Sequence, residues 1–503
     1  MKKWKTDFDS IWRDNSCAIL LLLLLIAHLP FLTADPDINI SFSRGPFTDE
    51  GLNTIQARNW INHGYLDLAE CDNFLKNPLL GSSLSITYFL FGTSLLASRL
   101  HVLILVLLAL LIICRDLKHH GFMAVFILIS MLQYQVFQFS HFSMAEMLSS
   151  ISVLLSIHFL ARSADIQFGQ NMRRNNAILA GIFLSFAYYF KIQFIYLILL
   201  LPLVQTISMF KANAINRRLL YRQGFYTSAT LLLFIAIYFF GWYLPNRELY
   251  DQMMAGQSGE FSLSAKSLEY LRFNLTNFFL KGWMNAFIAA FVICIPVGFY
   301  LFSNKPSSRY ATLFMSSIIW FLLESHKLLM VYLPTRYRIS LYISMGLLMS
   351  IVLNELLKKS LKPEGKRAIS EISKAFAYLI ILVLLSINII NYFSTLQRRD
   401  YKIRDTNRYL AKTIEPGDTA LGAWAPSLTW DCKARAIPVW NNFLNFKDPI
   451  GNYNPRIIIS EIDEQDSEQA YKSQGIHLDE LSDSTKTIKI GQWEVCIYYL
   501  NPF

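Results

Sequence analysis

The sequence CAILLLLLLIAHLPFLT, residues 17–33, is an apolar run that follows a basic N-terminal stretch. A helix of roughly 20 residues crosses a bilayer core of about 30 Å, so the run approaches the length of a span. No small-x-small cleavage site follows it, which argues against a secretory signal peptide. We therefore predict an uncleaved first membrane helix, with residues 1–16 in the cytoplasm.

Similar apolar runs recur down the chain. Of its 503 residues, 53% are hydrophobic and 16% are charged, whereas soluble globular proteins carry about 25% charged residues. This composition excludes an ordinary soluble protein and predicts a polytopic α-helical membrane protein with about 11 transmembrane helices. Hydropathy places them at 17–33, 98–114, 121–138, 142–161, 177–191, 193–210, 225–244, 282–303, 310–331, 337–357 and 374–395.

The pair 177–191 and 193–210 can be read as one bent helix or as two helices that meet at Lys191. With two helices, the basic residues fall on every second loop. This pattern agrees with the excess of Lys and Arg that cytoplasmic loops carry. With the N-terminus inside, we expect loop 34–97, loop 245–281 and the tail from about residue 397 on the outer side of the membrane. The inside loops then hold Arg115, Lys118, Arg162, Arg173, Arg174, Lys211, Arg217, Arg218, Arg222, Lys305, Arg309, Lys358, Lys359, Lys362, Lys366 and Arg367.

The net charge of +10 is explained by these loops, which face an anionic leaflet. No base-reading motif accompanies them, so we expect membrane lipids and no nucleic acid as partners. The six cysteines show neither zinc nor redox spacing.

The segments outside the spans have structure of their own. Residues 49–64 predict an amphipathic helix with Thr48 as a candidate N-cap, and residues 84–97 predict an interfacial segment. Residues 17–396 thus form the membrane domain, whose outer loop 34–97 carries two acids. Residues 397–503 predict a small soluble α/β domain with a turn at 415–418, strands at 419–424 and 456–460, and a hairpin of 487–490 against 493–500.

Asp49 and Glu50 open the first outer loop beside the membrane surface. One interpretation is structural, because acids in a first helical turn are stabilised by the helix dipole. The other is catalytic, with a carboxylate that accepts a proton from an acceptor hydroxyl or helps to hold a divalent metal at Asp49. The residues alone leave both interpretations, and the metal, open.

Other ionised residues stand at the ends of apolar runs. Such residues are energetically costly in a membrane and are functional candidates by default. On the predicted topology Asp49, Lys76, Glu146, Lys191 and Arg336 all belong at the outer face. Their convergence suits a substrate with an anionic head and a lipid tail. Glu324, His326 and Lys327 form a second polar group near the outer end of the ninth span.

The order of short motifs resembles the membrane glycosyltransferases of the GT-C superfamily, especially the protein O-mannosyltransferase and lipid A aminoarabinose transferase branch. The resemblance spans about residues 15–395. The motifs that carry it are Thr48-Asp49-Glu50-Gly51, Gln56-Ala57-Arg58-Asn59-Trp60, Lys76-Asn77-Pro78-Leu79, Phe91-Gly92, Arg99-Leu100, Leu179-Ala180-Gly181 to Lys191, and Pro334-Thr335-Arg336-Tyr337. Asn77 stands where the family has a first proline, and Ile192-Gln193 follows Lys191 where a Gly-Pro-like pair is common. The run 417–426 is similar to an element in the tails of bacterial relatives.

The resemblance implies an inverting transferase that moves a sugar from a polyprenyl-phosphate donor to a lipid, glycan or protein acceptor on the extracytoplasmic face of a bacterial inner membrane. It implies that Asp49 and Glu50 are catalytic and that Lys76, Lys191 and Arg336 bind the donor phosphate. Glu146, Arg58 and Tyr337 would orient the substrate. It implies no certain cofactor.

Two other classes of protein remain open at this stage. A transporter or lipid flippase would use intramembrane Glu146, Lys191 and Glu324 as a path, although no inverted repeat relates the two halves of the chain. A catalytically silent scaffold would bind partners through its tail.

Overall fold

The structure is a computed structural model. It describes residues 17–117, 121–165, 167–211, 214–257, 267–280, 282–302, 309–358, 367–441, 444–464 and 467–500. The expected cytoplasmic stretch 1–16 lies outside these ranges, as do five basic residues assigned to inside loops, Lys118, Lys305, Lys359, Lys362 and Lys366.

Most of the described chain is helical. The helices up to the tail are α1 (Cys17–Phe31), α2 (Gly45–His63), α3 (Asn73–Lys76), α4 (Pro78–Phe91), α5 (Leu95–Leu117), α6 (Phe122–Met131), α7 (Tyr134–Phe139), α8 (Ala145–Ala164), α9 (Gln170–Phe190), α10 (Leu200–Lys211), α11 (Ala214–Tyr238), α12 (Arg247–Gln257), α13 (Ser267–Asn274), α14 (Met284–Phe302), α15 (Arg309–Glu324), α16 (Thr335–Lys358) and α17 (Arg367–Gln397). Two 3-10 segments, Ile192–Leu199 and Ser325–Leu329, precede α10 and follow α15.

Within the described ranges, 7 helices are long and apolar enough to cross a membrane. They confirm the prediction of a polytopic helical protein, while the count of about 11 stays a prediction. The seven are Leu95–Asp116, Ala145–Ala164, Ile192–Met209, Arg217–Ala255, Met284–Phe302, Thr335–Lys358 and Glu371–Leu410.

The chain reverses direction at Lys191. The Thr227 hydroxyl of α11 donates a hydrogen bond to the carbonyl of Ala177 in α9 at 3.1 Å, and the Tyr189 hydroxyl of α9 donates to the carbonyl of Phe234 in α11 at 2.8 Å. Because the later residue of α9 contacts the later residue of α11, the two helices run parallel. Helices α10 and α11 are joined by a short connection and pack as an antiparallel hairpin, with Gln205 beside Gly224. Because α11 is parallel to α9 and antiparallel to α10, the reading as one long bent helix is wrong.

The helix of the first outer loop begins earlier in the chain than predicted. Helix α2 begins at Gly45, so the prediction that Thr48 is its N-cap is wrong, and the first turn contains no acid. Pro46 in that turn has the fixed φ that helix starts favour. Helix α4 exposes Phe89 and Phe91, as an interfacial helix would.

The tail contains helices α18 (Lys402–Leu410), α19 (Ala425–Leu428), α20 (Pro449–Tyr453), α21 (Glu468–Lys472) and α22 (Leu478–Leu481). Its strands are β1 (Thr419–Leu421), β2 (Arg435–Ile437), β3 (Ile457–Glu461), β4 (Ser482–Ile490) and β5 (Trp493–Leu500). They form one sheet in the order β2-β1-β3-β5-β4. Strand β1 is parallel to β2 and β3, and β5 is antiparallel to β3 and β4. Gly491, at φ 60°, makes the turn of the β4–β5 hairpin. The small α/β tail domain is thus present.

Candidate active site

Four segments that are far apart in sequence meet at one end of the helical bundle. Asp49 lies in α2, Glu146 in the first turn of α8, Lys191 at the break after α9, and Arg336 in the first turn of α16. The Arg336 guanidinium forms an ion pair with the Asp49 carboxylate. The Lys191 ammonium lies 2.5 Å from Glu146 Oε1, and Arg336 Nε lies 3.4 Å from the same oxygen.

Local backbone geometry places these charges. Lys191 is extended, with φ −156° and ψ 111°, so its side chain leaves the axis of α9 where the helix stops. Glu146 follows the extended N-cap residue Met144, where the helix dipole favours a carboxylate. The same dipole disfavours Arg336 at the start of α16, and the two neighbouring carboxylates offset that repulsion.

The cluster is largely closed to solvent. Glu146 is 1% exposed and Lys191 is 8% exposed, and the side chains of Asp49 and Arg336 are 14% and 19% exposed. Tyr337 packs between the cations, with its ring centroid 5.1 Å from both Lys191 Nζ and Arg336 Cζ. Cations held against an aromatic face in a partly buried site interact strongly with anions because little water screens them.

Lys76 pairs with Asp72, one turn earlier in the chain. Asp72 interacts electrostatically with Lys191. The next residue, Asn77, donates to Asn53 at 2.9 Å, and Asn53 in turn donates to the carbonyl of Asp49 at 2.8 Å. The structure therefore brings together by direct ion pairs four of the five ionised residues singled out from the sequence, Asp49, Glu146, Lys191 and Arg336, whereas Lys76 pairs with Asp72.

The architecture is similar to two solved membrane proteins. ArnT from Cupriavidus metallidurans, bound to undecaprenyl phosphate, superposes with a TM-score of 0.61 at 14% identity, covering 95% of this chain and 97% of that one. The archaeal oligosaccharyltransferase AglB from Archaeoglobus fulgidus, in complex with an inhibitory peptide and a dolichol-phosphate, gives 0.52 at 12% identity, covering 90% and 70%.

The chain has the GT-C fold. This confirms the fold that the order of motifs implied. No protein-family profile matches the sequence, and no curated protein sequence matches it significantly. The likeness is therefore one of fold, and the roles of the site residues have to be argued from their geometry.

Glu50 of this GT-C fold points away from Asp49. It is 4% exposed and accepts two bonds from Arg99 Nε, at 3.0 and 3.2 Å, and one from Arg99 Nη2 at 2.5 Å. It also accepts from the backbone N–H of Ser143 at 2.9 Å. Arg99 is fully buried and donates to the carbonyls of Phe31 and Ala34. Glu50 thus joins α2 to α5 and to the start of α8, outside the charged cluster.

Arg58 also lies outside the cluster, against the tail domain. Its guanidinium stacks 3.8 Å from the ring centroid of Trp430 and donates to the carbonyl of Pro426. Burial lowers the pKa of Arg58 to about 10. In this position Arg58 holds the tail domain on α2.

The packing of the tail domain on α2 was not foreseen from the sequence. Gly51 contacts Pro426 and Ser427 so closely that a Cβ would lie 2.5 Å from Ser427 Oγ. Ser427 also donates to the carbonyl of Thr48 at 3.2 Å, and the ring centroids of Phe47 and Trp493 lie 4.8 Å apart. The run 417–426, noted earlier without a role, ends in this contact. Within the described ranges no group of three or more His, Cys, Asp or Glu side chains is placed to hold a metal.

Proposed function

We propose that the protein is a membrane glycosyltransferase that moves a sugar from a polyprenyl-phosphate donor to a lipid, glycan or protein acceptor. The observation that carries the proposal is the meeting of Asp49, Glu146, Lys191 and Arg336 in one partly buried cluster. Two cations bind the phosphate of a lipid-linked donor. The two carboxylates remain available for hydroxyl groups of the sugar and the acceptor.

The cations act on the leaving group. As the bond between the anomeric carbon and the phosphate oxygen breaks, its electron pair moves to the phosphate, and negative charge grows there. Lys191 and Arg336 stabilise that charge in a site with little water, where electrostatic stabilisation is strong. Lys76 adds a third cation once its pairing with Asp72 is exchanged for phosphate.

Asp49 acts on the nucleophile. It orients the acceptor hydroxyl and takes its proton as the oxygen attacks the anomeric carbon from the face opposite the phosphate. A direct displacement of this kind inverts the anomeric configuration. Phosphate bound to Arg336 would weaken the ion pair between Arg336 and Asp49, which frees the carboxylate to act as the base. Glu146 holds Lys191 and Arg336 in register and orients the sugar.

The solved relatives support the ligand class. The crystal structure of ArnT is bound to undecaprenyl phosphate, and the structure of AglB is in complex with a dolichol-phosphate. In this proposal Glu50 and Arg58 hold α2 in place, and neither touches the reacting atoms. The start of α8, the start of α16 and the end of α9 meet at the site, which we place on the extracytoplasmic side of a bacterial inner membrane, together with the tail from residue 397.

The substitution Asp49→Asn tests the proposal. It keeps the shape of the side chain and removes the base, so transfer from a polyprenyl-phosphate sugar should fall by roughly 10²–10⁴-fold. Binding of undecaprenyl phosphate should persist or tighten, because Arg336 loses its neutralising partner. Transfer is measured with purified protein in a cell-free assay, and binding with radiolabelled lipid.

The matched control is Asp251→Asn, in an exposed ion pair with Arg247 on α12, which should leave transfer unchanged because exposed pairs contribute little. Full activity of Asp49→Asn would remove Asp49 from the role of base. A wild-type protein that moves labelled lipid across vesicles and forms no glycosylated product would favour a flippase instead.

A further inference from the structure

A second buried ion pair lies next to the candidate active site, and the proposed function does not use it. Glu324, the last residue of α15, is 0% exposed, and Lys327 in the following 3-10 segment is 7% exposed. Lys327 Nζ lies 2.6 Å from Glu324 Oε2. Because two charges are costly to bury and a hydrophobic pair would often be more stable, this pair calls for a functional explanation.

The Glu324 carboxylate ties together the two segments that carry the phosphate-binding cations. The Tyr196 hydroxyl donates to Glu324 Oε1 at 2.7 Å, and Tyr196 belongs to the 3-10 segment that begins directly after Lys191. The Ser340 hydroxyl donates to the same oxygen at 2.7 Å, and Ser340 lies one turn after Arg336 in α16. The Glu324 carboxylate thus joins the segment that follows Lys191 to the helix that carries Arg336.

Lys327 reaches the cluster by a second route. Its ammonium donates to the carbonyl of Tyr337 at 3.2 Å and lies 4.6 Å from the ring centroid of Phe194. Tyr337 is the residue whose ring packs against both Lys191 and Arg336. The buried pair therefore contacts both cation-bearing segments, through Tyr196 and Phe194 on one and through Ser340 and Tyr337 on the other.

We propose that Glu324 and Lys327 are positioning residues, which fix the separation of Lys191 and Arg336 and so set the affinity of the site for a lipid-linked phosphate. The inference rests on the proposed function. A site held within a fraction of an ångström depends on side chains that are themselves locked by surrounding hydrogen bonds. A carboxylate suits this position because one of its oxygens accepts from a tyrosine and a serine while the other forms an ion pair with a lysine.

The test measures binding of undecaprenyl phosphate to the purified full-length protein. Tyr196→Phe removes one bond to Glu324. Ser340→Ala removes one bond to Glu324 and also the bond that Ser340 accepts from Trp320 Nε1 at 2.9 Å. Neither variant leaves an unpaired buried charge, and each should raise the Kd roughly 3- to 10-fold through the lost bond to Glu324. The KM for the donor should rise in parallel, while the KM for the acceptor stays constant. Tyr392→Phe, which removes a bond from a span tyrosine to the carbonyl of Ala27, is the matched control and should bind as wild type does.

The double substitution Glu324→Gln with Lys327→Met tests the charged pair itself. It removes both charges together, so we expect folding to be retained and the Kd to rise at least about tenfold. The tyrosine and serine variants carry the test if this protein fails to fold. Equal affinities of wild type, Tyr196→Phe and Ser340→Ala would overturn the inference alone. A wild type that binds no undecaprenyl phosphate would overturn the proposed function, and the inference with it.

Discussion

Asp49 and Glu50 are neighbours in α2, and their surroundings differ in kind. The side chain of Asp49 reaches the partly open charged cluster and pairs with Arg336. Glu50 is enclosed and receives bonds from Arg99 and from the N–H of Ser143. The side chains of consecutive helix residues point about 100° apart. Asp49 therefore faces the candidate active site, whereas Glu50 faces the buried contacts that stabilise the fold.

The substitution Glu50→Gln should therefore impair folding, whereas Asp49→Asn should not. An amide at position 50 cannot balance the buried Arg99 guanidinium, and breaking a buried ion pair costs about 3–5 kcal/mol. Thermal unfolding of the two purified variants in detergent, beside wild type, measures the difference. A melting temperature of Glu50→Gln equal to that of wild type would disprove the structural role given to the residue.

Residue type and position were enough to predict the cluster itself. Glu146, Lys191 and Arg336 stand at the ends of apolar runs, where ionised groups are costly and are kept for a reason. The sequence could not separate Glu50 from Asp49, because the difference lies in Arg99, which is 49 positions away. The same holds for Arg58, whose partner Pro426 is 368 positions away.

Helix α2 is held along its length by the tail domain. Arg44 forms ion pairs with Glu461 and Glu464 at its start, and Asn59 donates to the carbonyl of Ala436 near its end. Between them lies the close contact of Gly51 with α19. The helix was predicted from its apolar pattern, but its packing against the tail domain was not. Periodicity indicates which face of a helix is buried and does not indicate which part of the chain covers that face.

The substitution Gly51→Ala should loosen this contact. The added methyl group would overlap Pro426 and Ser427, and overpacking of this kind costs about 1–3 kcal/mol. We expect lower transferase activity and faster protease cleavage of the tail domain. Gly241→Ala, at a helical glycine with nothing within 4 Å of the added Cβ, is the matched control. Wild-type activity and protease resistance in Gly51→Ala would show that the tail does not position α2.

The membrane domain and the tail domain are also joined where each begins. Asp35, just after α1, accepts from the N–H groups of Lys402 at 2.8 Å and Ile403 at 3.1 Å, and so caps α18 across the domain boundary. Burial is the largest influence on this carboxyl and raises its pKa to about 6. Because Asp35 is only 8% exposed, its protonation affects the stability of the folded protein.

This raised pKa predicts a pH dependence with a definite sign. The folded protein holds the proton of Asp35 more tightly than the unfolded chain does, so the stabilisation is complete below about pH 4 and is lost as the pH rises through about 6. The loss amounts to at most about 3 kcal/mol. Relative to Asp35→Asn, wild type should therefore gain thermal stability between pH 6.5 and 4.5. Parallel curves for the two proteins would contradict the prediction.

At the scale of the whole molecule, the fold class of a helical membrane protein with a small sheet-containing tail was the most predictable property. Of the two readings left open at Lys191, the alternation of basic loops favoured the reversal, and this rule concerns charge and requires no knowledge of packing. The tail strands near 419 and 457 and the 487–500 hairpin could also be recognised from their alternation and turn residues. How the tail sits on the membrane domain depends on side-chain contacts between distant segments, and no local pattern encodes those.

The internal pairing of the charged cluster has a consequence for selectivity. Each cation of the cluster is matched by a carboxylate of the protein, Arg336 by Asp49 and Lys191 by Glu146. An ordinary phospholipid offers its phosphate to the cations but leaves both acids without a donor. A glycosylated carrier satisfies the cations and the carboxylates at once. Its phosphate pairs with the cations, and its hydroxyl groups donate to the carboxylates in place of those cations. If the proposed function holds, ordinary anionic phospholipids should therefore compete poorly with a glycosylated carrier for this cluster.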